Sequence, residues 1–330
     1  MNQSALNQRS KVTQAALDMG RAPSAAAAEK AFAEIKALGL ESHVAEIESL
    51  GYTVIPPERV GPPKLARELL RRICEISKET RGQWPDMEDG TTHDNAVDPV
   101  ERQPFLLAKG RVFERALMNP VVQAMVAYLL GSDAVLSTCG GRIKGRGPLP
   151  LMLHTDQTFH PAPRPLVCNA TYLLTDYTLE NGALCFIPGS HRLQRHPLPE
   201  ENFHLDGMDR AQAEAAVAQG RDLRVRNPPD LAVLEAPAGS LAVWPGNTWH
   251  GAVPRSAPGL RVNLILYFCN KWLRPQEAYR ECLPQEVLDR NDERFARLVG
   301  SDIFYGWGPE GTDFDARKAF PEARRRVGTI

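Results

Sequence analysis

The sequence has no excess of positive charge. Its 39 basic residues nearly cancel its 40 acidic ones, which gives a formal net charge of −1 at pH 7. A surface that binds nucleic acid phosphates or an anionic membrane needs a broad positive field, which this composition does not supply. We therefore predict a small-molecule partner, with no nucleic acid and no membrane. The sequence gives no indication of the oligomeric state.

Cysteine is sparse, and the six cysteines form neither a C-x-x-C pair nor a dense framework. Disulfide-rich scaffolds and structural zinc sites built from thiolates both need clustered cysteines, so this spacing argues against both. Reduced thiols are the expectation. The six are Cys74, Cys139, Cys168, Cys185, Cys269 and Cys282.

Long apolar runs are absent as well. The alanine run at 25–28 is closed by Glu29 and Lys30, far short of the roughly 18 apolar residues that a membrane-spanning helix needs. The polar amino terminus has no apolar segment of the kind found in signal peptides. We therefore expect a cytoplasmic protein.

The order of the predicted elements divides the chain into three parts. Residues 1–50 form a helical extension, with helices expected at about 24–38 and 40–50. The main domain covers 51–290, and 291–330 form a tail packed on it. Within the main domain, the polar segment 83–103 shows no periodicity and is interpreted as a loop that covers a site.

From Gly131 onward the pattern changes to short apolar or alternating runs separated by Gly, Pro and Asn, which is typical of an antiparallel sandwich or barrel. An insert at about 191–231, with a small helix near 210–219, is expected to shape substrate binding. The predicted strands are 134–138, 149–155, 168–175, 183–187, 232–236, 240–244 and 261–269.

Two histidines and one aspartate form a candidate metal site. His154 and Asp156 lie two apart at the end of an apolar run, so a strand directs both side chains to one face. His250 ends another apolar run. H-x-D alone is common and usually not a site, but two histidines and one carboxylate form the facial triad of non-haem iron oxygenases.

Arg261 strengthens this interpretation. It opens the strongly apolar run RVNLILYF, where a buried guanidinium is costly unless it meets an anion. A carboxylate is such an anion, because guanidinium geometry binds it through two parallel hydrogen bonds.

Other candidates have two interpretations each. Gln157, Phe159 and His160 follow the ligands and either line the substrate side or pack at the rim. The basic residues at 142, 144 and 146 either receive an anionic group of the substrate or belong to a solvated loop, and we favour the loop.

Three sequence blocks carry a family resemblance. They are HTDQTFH at 154–160, YLLTDYTLENGALCFIPGSH at 172–191 and GSLAVWPGNTWHGA at 239–252, followed by Arg261 and its strand. The chain resembles the phytanoyl-CoA dioxygenase family of Fe(II)- and 2-oxoglutarate-dependent oxygenases over about 51–290.

The resemblance implies an α+β fold with a mainly β core, namely a double-stranded β-helix (a cupin-like jelly roll) with flanking helices. It implies Fe(II) bound by His154, Asp156 and His250, and 2-oxoglutarate bound by Arg261 and Thr171. It further implies a dioxygenase that uses O2, releases succinate and CO2, and hydroxylates an unactivated carbon. Desaturation, ring closure or epimerisation are the other outcomes of such chemistry.

Two alternatives stay open at this point. One is a cupin-type metalloenzyme with the same ligands and no use of 2-oxoglutarate. The other is a catalytically silent binding protein of the same fold, although such a protein would be expected to have lost a ligand.

Overall fold

The two helices predicted at about 24–38 and 40–50 are confirmed as Ala22–Ala37 and Glu41–Leu50. The computed structural model describes residues 22–131, 134–157 and 164–301. Pro63 begins the longest helix, and Leu69, Ile73 and Ile76 form its buried face. The helices are α1 (Ala22–Ala37), α2 (Glu41–Leu50), α3 (Pro57–Val60), α4 (Pro63–Arg81), α5 (Arg111–Leu117), α6 (Pro120–Leu130), α7 (Arg210–Ala218), α8 (Tyr279–Cys282), α9 (Gln285–Asp289) and α10 (Glu293–Leu298).

The strands form a six-stranded sheet in the order β1-β10-β5-β12-β3-β2, a four-stranded sheet in the order β4-β11-β6-β9, and the small pair β7-β8. All of the pairings are antiparallel. The strands are β1 (Thr53–Ile55), β2 (Val100–Gln103), β3 (Ala134–Lys144), β4 (Leu151–His154), β5 (Val167–Leu173), β6 (Leu184–Phe186), β7 (His204–Leu205), β8 (Val225–Arg226), β9 (Ala232–Val233), β10 (Leu241–Pro245), β11 (His250–Ala252) and β12 (Arg261–Asn270).

The six-stranded sheet is covered on both faces. Helices α4, α5 and α6 pack on one face, where Ile73, Phe113 and Val122 join a large apolar cluster with Leu264 of β12. The four-stranded sheet covers the other face. As a result every residue of β5 is buried, as expected for a strand between two layers.

A second apolar cluster lies between the two sheets. It joins Leu173 and Trp244 of the six-stranded sheet to Leu184 and Phe186 of the four-stranded sheet. Two antiparallel sheets packed in this way, with helices outside, agree with the predicted double-stranded β-helix.

Three predictions of local structure need correction. The segment 83–103 is not loop throughout, because Val100–Gln103 pairs with β3 as an edge strand. Strand β3 continues to Lys144, six residues beyond its predicted end, because it pairs with β12 along its length. Strand β11 was not predicted, since three residues are too few to show a pattern. The small helix in the insert is confirmed.

The predicted division into parts at residues 50 and 290 stays a prediction. Within the described residues, no helix combines the length and apolar character needed to cross a membrane.

Candidate metal centre and co-substrate pocket

Strand pairing brings the two candidate histidine ligands together. His154 is the last residue of β4, His250 is the first residue of β11, and the two are direct partners in the antiparallel ladder. Their ring centroids lie 4.3 Å apart. Asp156 completes the group: its Oδ1 lies 3.7 Å from Nε2 of His154 and its Oδ2 lies 3.4 Å from Nε2 of His250. One ligand atom from each residue lies within 4.8 Å of the others.

Backbone carbonyls fix the direction of both imidazoles. Nδ1 of His154 lies 2.9 Å from the carbonyl oxygen of Met152, and Nδ1 of His250 lies 3.0 Å from that of Thr248. Each Nδ1–H therefore donates to the backbone, which leaves Nε2 with its lone pair directed at Asp156. Burial lowers the pKa of His250, although Asp156 opposes this change. The lowered pKa favours the neutral form of His250, which is the form that binds a metal.

Asn169 orients the carboxylate of the candidate site. Its Nδ2 donates to Oδ2 of Asp156 over 2.7 Å. Asn169 lies on β5 two residues before Thr171, so both side chains face the second sheet. The sequence analysis missed Asn169, although a polar amide inside the apolar run VCNATYL was a usable signal.

Arg261, the first residue of β12, is buried on the face of the six-stranded sheet that is turned towards the four-stranded sheet, and its exposure is 7%. One terminal nitrogen of its guanidinium donates to the carbonyl oxygen of Gly182, and the group lies 4.8 Å from the ring centroid of Tyr177. Its Nε has no hydrogen-bond partner among the described residues. This buried cation therefore retains donor capacity for an anion.

Thr171 offers a second free polar group on the same inner face of the sheet. It is fully buried, and its Oγ1 has no hydrogen-bond partner in the described part of the chain. Thr171 pairs with Ile265, which lies four residues after Arg261 and on the same face of β12. Buried polar groups are normally satisfied. Two unsatisfied groups on the sheet face that also carries Asn169, the partner of Asp156, fit a metal that also carries an oxygen-rich organic acid.

Gln157 has a structural role in this arrangement. It is buried, its backbone N–H donates to the carbonyl oxygen of Gly246 over 3.0 Å, and its Oε1 accepts from the backbone N–H of Leu166 over 3.1 Å. These contacts fit the alternative interpretation of packing at the rim. Phe159 and His160 lie outside the described residues.

The favoured interpretation of the basic cluster as a solvated loop is wrong for two of its members. Lys144 belongs to β3 and is 5% exposed, and Arg142 is half-buried on the same strand. Only Arg146 of the three is exposed.

The insert also contacts the candidate metal centre. The backbone carbonyl of Arg195 accepts a hydrogen bond from Trp249, and the imidazole of His196 hydrogen-bonds to Thr155. These two partners are the immediate neighbours of His250 and His154.

Known proteins resemble this chain in sequence and in fold. A curated relative, "Dioxygenase af480" of Aspergillus fumigatus, is 27% identical over 273 residues, which are 79% of this chain and 77% of the relative.

Two crystal structures of HygX from Streptomyces hygroscopicus share the fold. One holds nickel and 2-oxoglutarate, and it matches with a TM-score of 0.51 and 18% identity over 71% of this chain and 88% of HygX. The other holds iron and matches with a TM-score of 0.50 and 17% identity over the same shares. At these identities the likeness concerns the fold, and it confirms the predicted jelly roll.

The family model for phytanoyl-CoA dioxygenase (PhyH) matches residues 47–262, about two thirds of the chain. This match includes the triad, Thr171 and Arg261, and it confirms the resemblance inferred from the sequence blocks. The chain therefore belongs to the phytanoyl-CoA dioxygenase (PhyH) family and is an oxidoreductase of the dioxygenase type.

Proposed function

We propose that this dioxygenase binds Fe(II) through His154, Asp156 and His250, and that it hydroxylates an unactivated carbon of a small molecule with 2-oxoglutarate as co-substrate. One observation carries the proposal: three ligand atoms lie within 4.8 Å of one another, and a buried arginine with an unsatisfied donor lies on the same sheet face as Asn169, which holds the ligand Asp156. Two imidazoles and one carboxylate leave open positions on an octahedral metal.

When bound, iron and 2-oxoglutarate supply the oxidising power: the 2-oxo acid becomes succinate and CO2, and one oxygen atom of O2 enters the substrate. The protein residues hold and orient these groups. The carbonyls of Met152 and Thr248 fix the imidazoles, and Asn169 fixes the carboxylate. Arg261 and Thr171 would hold the co-substrate through its distal carboxylate and a hydroxyl contact.

A small-molecule substrate is supported by two findings. The net charge of −1 provides no broad positive field for a polyanion. A further crystal structure of HygX holds hygromycin B with nickel and 2-oxoglutarate, so a protein of this fold binds a small molecule together with a metal and the co-substrate.

Arg261 also favours this proposal over a cupin-type enzyme without a 2-oxo acid. In such an enzyme the guanidinium of Arg261 would stay buried, at 7% exposure, with no hydrogen-bond partner for its Nε among the described residues. A buried charge without a compensating anion costs several kcal/mol of stability. A distal carboxylate removes that cost.

The proposal is tested by anaerobic titration of the metal-free protein with Fe(II) and then 2-oxoglutarate. We expect a weak visible charge-transfer band, and succinate formation once air and a substrate are admitted. Asp156→Ala should remove both, whereas the exposed Asp222→Ala should change neither. Iron binding without a band would overturn the use of 2-oxoglutarate and favour the cupin-type alternative. A band without succinate from any substrate would favour the silent binding protein.

A further inference from the structure

Lys144 lies directly opposite Arg261. It is the last residue of β3, and the two residues are Cα partners in the β3–β12 ladder. Side chains of directly opposed partners lie on the same face of a sheet, with Cβ atoms roughly 5 Å apart. This is the face turned towards the four-stranded sheet. Both residues are buried, with exposures of 5% for Lys144 and 7% for Arg261.

Neither cation has an acidic partner in the described ranges 22–131, 134–157 and 164–301. The ammonium of Lys144 donates only to the carbonyl oxygen of Val253, over 3.3 Å. No carboxylate of these ranges lies within 4.0 Å of Lys144 or Arg261. Like charges that are directly opposed and buried destabilise a fold unless an anion lies between them.

The wider surroundings of Lys144 add no anion. Arg255, which precedes β12, and Arg210, at the start of α7, add positive potential, and Cys185 of β6 is a buried thiol. Burial, together with the charges of Arg261 and Arg255, lowers the pKa of Lys144 well below its usual value. The free protein therefore disfavours the charged form of Lys144, and an arriving anion restores it.

We propose that Lys144 and Arg261 form a two-cation clamp that binds the distal carboxylate of a dicarboxylic 2-oxo acid. Arginine binds one edge of a carboxylate through parallel N–H groups, and lysine adds a compact charge. The clamp lies on the same sheet face as Thr171 and Asn169, and Asn169 holds the ligand Asp156. This inference rests on the proposed function, to which it adds a co-substrate-binding residue and a basis for selectivity.

The test compares 2-oxoglutarate with 2-oxovalerate, which lacks the distal carboxylate. Both are titrated anaerobically into the Fe(II)-loaded protein, and the dissociation constants are read from the charge-transfer band. Lys144→Met removes the charge but keeps the length of the side chain. We expect it to weaken 2-oxoglutarate binding by about 10- to 100-fold, because a hydrogen-bonded charge is lost, and to leave 2-oxovalerate unchanged.

Two further variants make the comparison specific. Lys144→Arg keeps the charge and should retain most of the preference for the dicarboxylate. Lys64→Met, at an exposed lysine of α4, removes the same charge from the surface and should change neither constant.

Failure of the inference and failure of the proposed function are distinguishable. If the wild-type protein forms no band with either 2-oxo acid, the proposed function fails. If the wild-type protein forms the band and Lys144→Met keeps its preference for 2-oxoglutarate, the clamp is overturned. Equal weakening of both acids in Lys144→Met also overturns it, because the effect would then be structural. Unchanged binding of 2-oxoglutarate in Lys144→Met would also overturn the clamp. This outcome is expected if Lys144 contacts only a carboxylate of the oxidised substrate.

Discussion

Nδ1 of His196 lies 2.8 Å from the hydroxyl oxygen of Thr155, the residue between the candidate ligands His154 and Asp156. His196 belongs to the insert at 191–231, far from β4 in sequence. Thr155 is buried, and its Oγ1 also lies 3.2 Å from the carbonyl oxygen of Gln157. The insert therefore holds the turn that presents the aspartate.

Arg195, which precedes His196 in the insert, contacts the residue next to the other histidine ligand, His250. The carbonyl oxygen of Arg195 accepts from Nε1 of Trp249 over 2.7 Å, and its guanidinium lies 4.8 Å from the indole centroid. Trp249 directly precedes His250. Two consecutive residues of the insert thus contact the chain neighbours of both histidine ligands, so the insert supports the backbone on both sides of the metal site.

Thr155→Val tests this connection. Valine keeps the shape of threonine but removes the hydroxyl, so the partner of His196 and the bond to Gln157 are lost. Contacts around a ligand set typically change metal affinity 10- to 100-fold when removed. We expect Co(II) titration to show affinity reduced by about tenfold or more, with the circular dichroism spectrum retained. Thr178→Val, in the turn between β5 and β6, is the matched control. Wild-type affinity in Thr155→Val would show that the insert does not position the metal site.

Asn169→Ala should weaken metal binding without loss of fold. Without its amide donor, the carboxylate of Asp156 loses a 2.7 Å hydrogen bond and its fixed orientation. We expect the affinity for Co(II) to fall about 10- to 100-fold. Asn169→Asp keeps the size of the side chain but has no N–H donor, so it should not restore the hydrogen bond to Asp156.

The control for this pair is Asn291→Ala, which removes a half-buried amide bonded to Glu114 outside the barrel. It should leave metal affinity unchanged. If Asn169→Ala also leaves it unchanged, Asn169 has no positioning role.

His154 and Asp156 could be predicted as a pair of ligands because they are close neighbours in the sequence. A strand has a period of two, so His154 and Asp156 share a face whatever the tertiary structure. The pairing of His154 with His250 could not be predicted from spacing alone, because it depends on how β4 and β11 meet. Asn169 was missed for a related reason. Its predicted role depends on its hydrogen bond to Asp156, and the two residues meet only because the two sheets pack together.

Lys144 shows the opposite error. The run GRIKGRG is polar and rich in glycine, which favours a loop. The structure instead extends β3 into this run as far as Lys144, because β12 supplies ladder partners from Ala134 to Lys144. Long-range pairing overrides local propensity here. A lysine that looks solvated in sequence is therefore enclosed beside Arg261.

A prediction on pH concerns Glu101 of β2, whose side chain is 9% exposed. Burial opposes its ionisation, but hydrogen bonds from His93, Gln103 and Ser77 outweigh this effect and hold the pKa of Glu101 at about 2. A carboxylate with a lowered pKa stabilises the fold above the pKa of the unfolded chain, about 4.3, and this stability is lost as the pH falls from there towards about 2.

Glu101→Gln should therefore lower the free energy of unfolding by about 3 kcal/mol at pH 7, from a shift of roughly two pKa units. The difference from wild type should shrink between pH 5 and pH 3. Urea denaturation at several pH values measures it, and the exposed Glu200→Gln is the control. A difference that stays constant over this range would contradict the lowered pKa.

Phe186 connects core packing to the metal site. It is fully buried, stacks on Tyr52 with ring centroids 4.2 Å apart, and lies 6.3 Å from the ring centroid of His250. Phe186→Ala should lower the free energy of unfolding by about 3–5 kcal/mol, as expected for a large cavity. It should also weaken metal binding, because the imidazole of His250 loses a packing partner. Phe113→Ala opens a comparable cavity in the helix-covered cluster and should cost similar stability with metal affinity unchanged. Equal metal affinity in the two variants, measured by Co(II) titration below their melting temperatures, would mean that Phe186 contributes to the core alone.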